Sequence, residues 1–173
     1  MDHLKQKIRT IPNFPKQGIM FRDITTLLKD KDGFRDVIAA FVARYRSQKI
    51  DVVAGIESRG FIIGGALAQQ LGVGFVPLRK KGKLPYKTHK IEYDLEYGKD
   101  CLEIHEDAIS AGDKVLLVDD LIATGGTAKA ACDLVEKVGG TIVECAFIID
   151  LPDLKGKEKL GHPAFALVAF EGE

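Results

Sequence analysis

The feature that most restricts this chain is the thirteen-residue run Val115-Leu116-Leu117-Val118-Asp119-Asp120-Leu121-Ile122-Ala123-Thr124-Gly125-Gly126-Thr127. Its first four residues are apolar without a break, the pattern of a strand buried on both faces of a sheet. The apolar stretch ends at two adjacent carboxylates. In open α/β sheets ligands sit beyond the carboxyl ends of the strands, so Asp119 and Asp120 are expected to face a site rather than the core. Thr124-Gly125-Gly126-Thr127 then opens a helix. Glycines let backbone N–H groups approach an anion closely, and the unsatisfied amides and dipole of a helix start favour a phosphate. The two threonines add hydroxyl donors. Carboxylates would repel a bare phosphate. They make sense as acceptors for sugar hydroxyls, or as help in holding a Mg²⁺ that the substrate carries. Diol plus phosphate describes ribose 5-phosphate. Neither GxxxxGK[ST] nor GxGxxG occurs in the chain.

Elsewhere strands alternate with helices. Apolar residues Phe34, Val37, Ile38, Phe41, Val42 and Tyr45 fall on a 3.6-residue period, which predicts a helix over 33–47. A short buried strand over 51–56 follows, then a helix over 61–71 in which Gly64 and Gly65 imply close packing on a sheet. Further strands are predicted over 74–78, 91–97, 102–104, 143–151 and 165–170. Residues 102–104 are read as the hairpin partner of 91–97. A helix with Ala131, Leu134, Val135 and Val138 on one face follows the phosphate turn and stops at Gly139-Gly140. Leu4 and Ile8 predict a short amphipathic helix over 2–10, ended by Pro12 and Pro15. Residues 18–24 fit no element. The basic, Gly/Pro-broken stretch 79–90 reads as a mobile loop. The alternation argues for an α/β fold with a central, mostly parallel sheet flanked by helices.

A chain of 173 residues is expected to be one domain. Its formal net charge of zero argues against nucleic acid as a partner. Cys101, Cys132 and Cys145 form no CxxC pair and are read as reduced thiols, which implies the cytoplasm. No leader-like run opens the chain, and no stretch approaches the roughly 20 apolar residues that span a bilayer. The four histidines are scattered without ligand spacing, so no protein-held metal site is assigned.

The run 115–127 resembles the PRPP-binding signature of type I phosphoribosyltransferases, PRPP being 5-phosphoribosyl 1-pyrophosphate. Phe21-Arg22-Asp23-Ile24, Glu57-Ser58-Arg59-Gly60-Phe61, Arg79-Lys80-Lys81-Gly82-Lys83-Leu84-Pro85 and Leu95-Glu96-Tyr97-Gly98 are similar to the adenine-using branch of that family. The likeness extends from about Leu4 to about Leu160. It implies a type I phosphoribosyltransferase fold with a hood (about 1–30 plus a C-terminal part) and a flexible lid hairpin (about 79–104). It also implies a homodimer and a reaction in which adenine and PRPP, carried with Mg²⁺, give AMP and pyrophosphate. By the same resemblance Asp119 and Asp120 bind the ribose hydroxyls, and Ala123, Thr124, Gly125, Gly126 and Thr127 hold the 5-phosphate. Glu57, Ser58 and Arg59 form the pyrophosphate loop. Arg79 and Lys83 reach the pyrophosphate, delivered from the other subunit. Met20, Phe21, Arg22 and Leu121 frame the adenine. Glu96 handles the proton of the attacking purine, with Tyr97 assisting. The middle of the lid stretch Leu84 to Lys90 departs from the family pattern, and the C-terminal stretch from Gly161 carries little signal. Two other readings remain beside this one: the same class of enzyme with another purine, and a non-catalytic PRPP sensor.

Overall fold

The run at 115–118 folds as the centre of the molecule. In the computed structural model, which describes residues 1–95 and 98–172, it lies inside β7 (Lys114–Ile122). The other elements are α1 (Asp2–Lys5), β1 (Arg9–Pro12), β2 (Met20–Asp23), α2 (Thr25–Lys29), α3 (Lys31–Tyr45), β3 (Val52–Ile56), α4 (Arg59–Leu71), β4 (Gly74–Lys80), β5 (Thr88–Leu95), β6 (Gly98–His105), α5 (Gly126–Lys137), β8 (Thr141–Asp150) and β9 (Ala164–Ala169), with two short 3₁₀ turns between β8 and β9. Among the described residues the main sheet has the order β5-β6-β4-β3-β7-β8-β9. The stretch from β4 to β9 is parallel, and β6 and β5 add antiparallel strands at one edge.

Alternation along β7 divides the core. Leu116 and Val118 pack with α3 and α4 through Phe41, Tyr45, Ile63 and Leu67. Val115 and Leu117 pack on the opposite face with Leu134 and Val135 of α5. Burial on both faces is why residues 115–118 of the strand are all apolar. Cys132 of α5 and Cys145 of β8 bring their sulfurs to 3.4 Å inside this second layer. All three cysteines are buried and unpaired by disulfide.

Three local expectations are corrected. The helix expected over 2–10 is confined to α1, because residues 9–12 pair antiparallel with β2, from Arg9↔Asp23 to Pro12↔Met20. An isolated helix of nine residues is marginal, and the ladder prevails. Leu4 and Ile8 are buried all the same. The unassigned 18–24 segment supplies β2. The basic stretch 79–90 is strand only at its two ends: Arg79 and Lys80 continue β4 opposite Glu103 and Leu102, and β5 begins at Thr88. Between them, the buried Glu103 accepts the Gly82 N–H at 3.0 Å and ties down the turn. Gly64 meets the close packing its sequence implied, since a Cβ there would lie 2.8 Å from the Phe75 ring, whereas Gly65 faces open space.

Candidate active site

Beyond the carboxyl ends of β3 and β7 lies a cavity of about 1080 Å³. β7 does not stop at the acids as expected; it runs through them to Ile122, and strand alternation sets neighbouring residues on opposite sides. Asp119, Asp120 and Leu121 all line the cavity. Asp120 is buried and ion-paired with Arg59, whose Nε donates to Oδ2. Asp119 Oδ1 accepts the Asp120 N–H at 2.8 Å. Burial and the neighbouring Asp120 charge push the Asp119 carboxyl well above the usual carboxylate range. Burial disfavours the Arg59 cation, but Asp120, Asp119 and Asp23 outweigh it and hold the guanidinium charged.

The turn from Ala123 to Thr127 follows on the same strand. Gly125 takes a left-handed conformation (φ +81°) and forms the N-cap of α5, and no side chain caps this helix start. Its glycine is required twice over, because a Cβ would also lie 2.4 Å from the Gly156 carbonyl oxygen. Gly156 is equally constrained, with Ala123 O only 2.1 Å from where its own Cβ would stand. The segment after β8 therefore forms the backing of the turn. Ala123, Thr124, Gly126 and Thr127 line the cavity with Gly125.

Glu57 and Ser58, at the end of β3, line the same cavity, and the peptide between them is cis. Glu57 gathers the basic residues of the next strand and loop: its carboxylate accepts from Lys80 N (2.7 Å), Arg79 Nε (3.1 Å) and Lys83 Nζ (2.5 Å). Burial opposes its ionisation, yet these donors hold it below the ordinary value. Arg79 and Lys83 thus find a partner in their own chain. On the other wall, Met20, Phe21 and Arg22 of β2 face the cavity. The Phe21 ring meets Phe14 edge-on at 5.2 Å and lies 6.0 Å below the Arg59 guanidinium. Arg22 donates to Thr10 Oγ1 at 2.5 Å and stacks 4.2 Å over Phe170. Glu96 and Tyr97 lie outside the described residues.

The sequence reading missed several walls of this cavity. Lys16 to Ile19 close it beside the hood strand, Leu151 and Leu154 approach from the segment after β8, and Lys80 reaches it from β4. Gly18, at φ +91° in a Pro/Gly-rich stretch, marked a turn but not a site. The two leucines carry no signal distinguishable from core.

An amide-lined turn, uncapped by its own side chains and set one strand-end away from two acids, is what an enzyme handling a phosphorylated ribose requires. The class follows: the phosphoribosyl transferase domain model matches residues 23–162. The chain is 61% identical over 171 residues to adenine phosphoribosyltransferase of Desulfosudis oleivorans, covering 98% of this chain and 99% of that protein. It superposes with a TM-score of 0.92 on the adenine phosphoribosyltransferase structure from Rhodothermus marinus, at 51% identity and 98% and 97% coverage. The Saccharomyces cerevisiae adenine phosphoribosyltransferase, complexed with an imino-altritol bisphosphate and adenine, gives a TM-score of 0.92 at 45% identity, covering 96% of this chain and 97% of that one. The chain belongs to the adenine phosphoribosyltransferase family.

Proposed function

We propose that this chain transfers the 5-phosphoribosyl group of PRPP to adenine, giving AMP and pyrophosphate, with the reacting atoms in the cavity between β2 and the carboxyl ends of β3 and β7. The observation that carries the reading is that the acid pair, the phosphate turn and the aromatic Phe21 wall share that one cavity. Ala123 to Thr127 hold the 5-phosphate through backbone amides and hydroxyls. Asp119 and Asp120 accept from the ribose hydroxyls. A diol reaching Asp120 displaces Arg59, whose guanidinium is then delivered to the pyrophosphate beside Ser58. Glu57 cannot hold an anion itself; it holds Arg79 and Lys83 in place to do so. Phe21 stacks on the purine and Leu121 forms the facing wall, with Met20 and Arg22 offering backbone carbonyls to the exocyclic amine.

As the bond between the anomeric carbon and the pyrophosphate oxygen breaks, its electrons leave with pyrophosphate and positive charge builds on the ribose. The purine nitrogen attacks that carbon, and its proton passes to Glu96, with Tyr97 beside it on the lid. Closure of the lid over 79–104 excludes water that would capture the cationic ribose. Among the described residues no group of three or more His, Cys, Asp or Glu could hold a metal. The two cavity acids supply oxygen donors that suit Mg²⁺ arriving on PRPP, where the ion would neutralise phosphate charge. A single domain with hood and lid, working as a homodimer, completes the reading. Among the described residues no helix is long and apolar enough to cross a membrane, and three buried free thiols suit the reducing cytoplasm.

The test is to mix the protein with PRPP, Mg²⁺ and each purine in turn and assay nucleotide and pyrophosphate. Product with adenine alone is expected. Product with a 6-oxopurine would reassign the base, and PRPP binding without turnover would make the chain a sensor.

A further inference from the structure

One hydroxyl in the molecule has every hydrogen-bonding position taken by a different structural part. Tyr93 on β5 accepts from Lys80 Nζ at 2.7 Å and from Thr127 Oγ1 at 3.4 Å, and donates to Asp100 Oδ2 at 3.2 Å. A phenol has one proton and two lone pairs, so these contacts saturate it. Lys80 also pairs with Asp100, which lies opposite Tyr93 in the β5–β6 ladder. Burial works against the Lys80 charge, but Asp100 and Tyr93 keep it protonated. The lid strand also packs directly on the start of α5: a Cβ on Gly126 would lie 3.3 Å from Asp94 O and 3.9 Å from the Tyr93 ring.

Two routes lead from this hydroxyl into the cavity. Thr127 stands in the phosphate turn. Lys80 lines the cavity itself, and its backbone N–H reaches Glu57, which holds Arg79 and Lys83. The two ends are the parts of the cavity read above as the 5-phosphate and pyrophosphate positions.

We infer that Tyr93 is a positioning residue that couples occupancy of the phosphate turn to the placement of Lys80 and the basic residues behind it. The inference rests on the assignment of the 5-phosphate to Ala123–Thr127. The Thr127 contact is the longest of the three, and a phosphate oxygen is a charged and stronger acceptor than a phenol. When phosphate arrives, Thr127 turns its proton to it. The lone pair released on Tyr93 draws the Lys80 ammonium closer, which sets the cation for the second anion. Binding at one end thereby favours binding at the other, and the effect must be reciprocal.

The experiment is calorimetric titration of pyrophosphate, with Mg²⁺, into the full chain with and without saturating AMP, then the reverse order. In the wild type AMP should tighten pyrophosphate binding at least about fivefold. Tyr93→Phe keeps the ring and removes the hydroxyl. It should bind each ligand alone within about threefold of wild type, with the mutual enhancement falling to near onefold and the melting temperature little changed. A hydroxyl that serves only to hold the fold would lower stability and leave the coupling intact. Enhancement retained in Tyr93→Phe, or absent in a wild type that binds AMP, overturns the inference. A wild type that does not bind AMP overturns the phosphate assignment beneath it.

Discussion

Asp119 is held at a cost that its neighbour Asp120 makes worse. Burial and the adjacent charge raise its folded-state pKa above the ordinary 3.8. The stability it contributes is therefore fully present only below that ordinary value and is lost as pH rises through the raised folded value. At neutral pH the charged form is a net burden, and Asp119→Asn should melt a few degrees higher than wild type, with the gap closing as the buffer approaches pH 4. The same substitution should weaken PRPP binding on the order of tenfold, because an amide accepts from a ribose hydroxyl less strongly than a carboxylate. Thermal melts at the two pH values together with a PRPP titration check both halves. An unchanged or lower melting temperature at pH 7 would mean that the acid is not strained in the folded chain. Such a trade of stability for ligand affinity is usual at binding sites. Asp119 and Asp120 were legible in the sequence because two acids directly after a doubly buried apolar run have no structural reason to be there. Gly156 was not: its need for a hydrogen side chain arises only when the chain folds back to within contact of Ala123 and Gly125.

Elements were read most accurately where one period dominated. The stripe from Phe34 to Tyr45 gave α3, and the apolar run at 115–118 gave the middle strand. The sequence failed where tertiary pairing overrode a local pattern, as in the conversion of residues 9–12 to strand and of Arg79–Lys80 to the end of β4. Helix α4 shows how close packing separates glycines that look alike. A Cβ on Gly60 would stand 2.8 Å from Val118 O and 3.1 Å from Asp119 Oδ1, so this helix start lies directly against the carboxyl half of β7. Gly65 has nothing within 4 Å. Gly60→Ala should lose about 1–3 kcal/mol through overpacking, and it should disturb Arg59 beside it. Gly65→Ala should gain about 0.5–1 kcal/mol by reducing the entropy of the unfolded chain and improving helix propensity. Urea unfolding of the two variants reads the difference. If both shifted stability the same way, close approach of α4 to β7 would not be what selects glycine at position 60.

At the scale of the whole molecule, one buried carboxylate joins helix α3 to the inner strand β8, on the sheet face that α3 covers. Glu144 of β8 accepts from Arg44 Nε at 2.6 Å, Arg44 Nη2 at 2.8 Å and the Tyr45 hydroxyl at 2.7 Å, nearly 100 residues away in the chain. The sequence offered no sign of it, since neither Arg44 nor Glu144 stands in a motif. Burial alone would raise the Glu144 pKa, but the Arg44 and Tyr45 hydrogen bonds prevail and hold it below the ordinary 4.5. Its contribution is therefore present above pH 4.5 and lost as pH falls through the lower folded value. Asp100 and Glu57 are lowered in the same way, so the fold as a whole should weaken in acid while the local strain at Asp119 relaxes. Glu144→Gln keeps the shape and removes the charge. Charge-assisted hydrogen bonds contribute about 1.5–3 kcal/mol, and the Arg44 side chain is 37% exposed, which screens part of that. A loss of about 1.5 kcal/mol at pH 7 is expected, or roughly 3–6 °C in melting temperature for a chain of this size. Because wild-type Glu144 becomes protonated in acid, the two proteins should converge as pH falls from 4.5 through its lower folded value. Melting curves across that range decide the matter: a gap that stayed constant with pH would show that packing around the side chain, rather than its charge, joins α3 to β8.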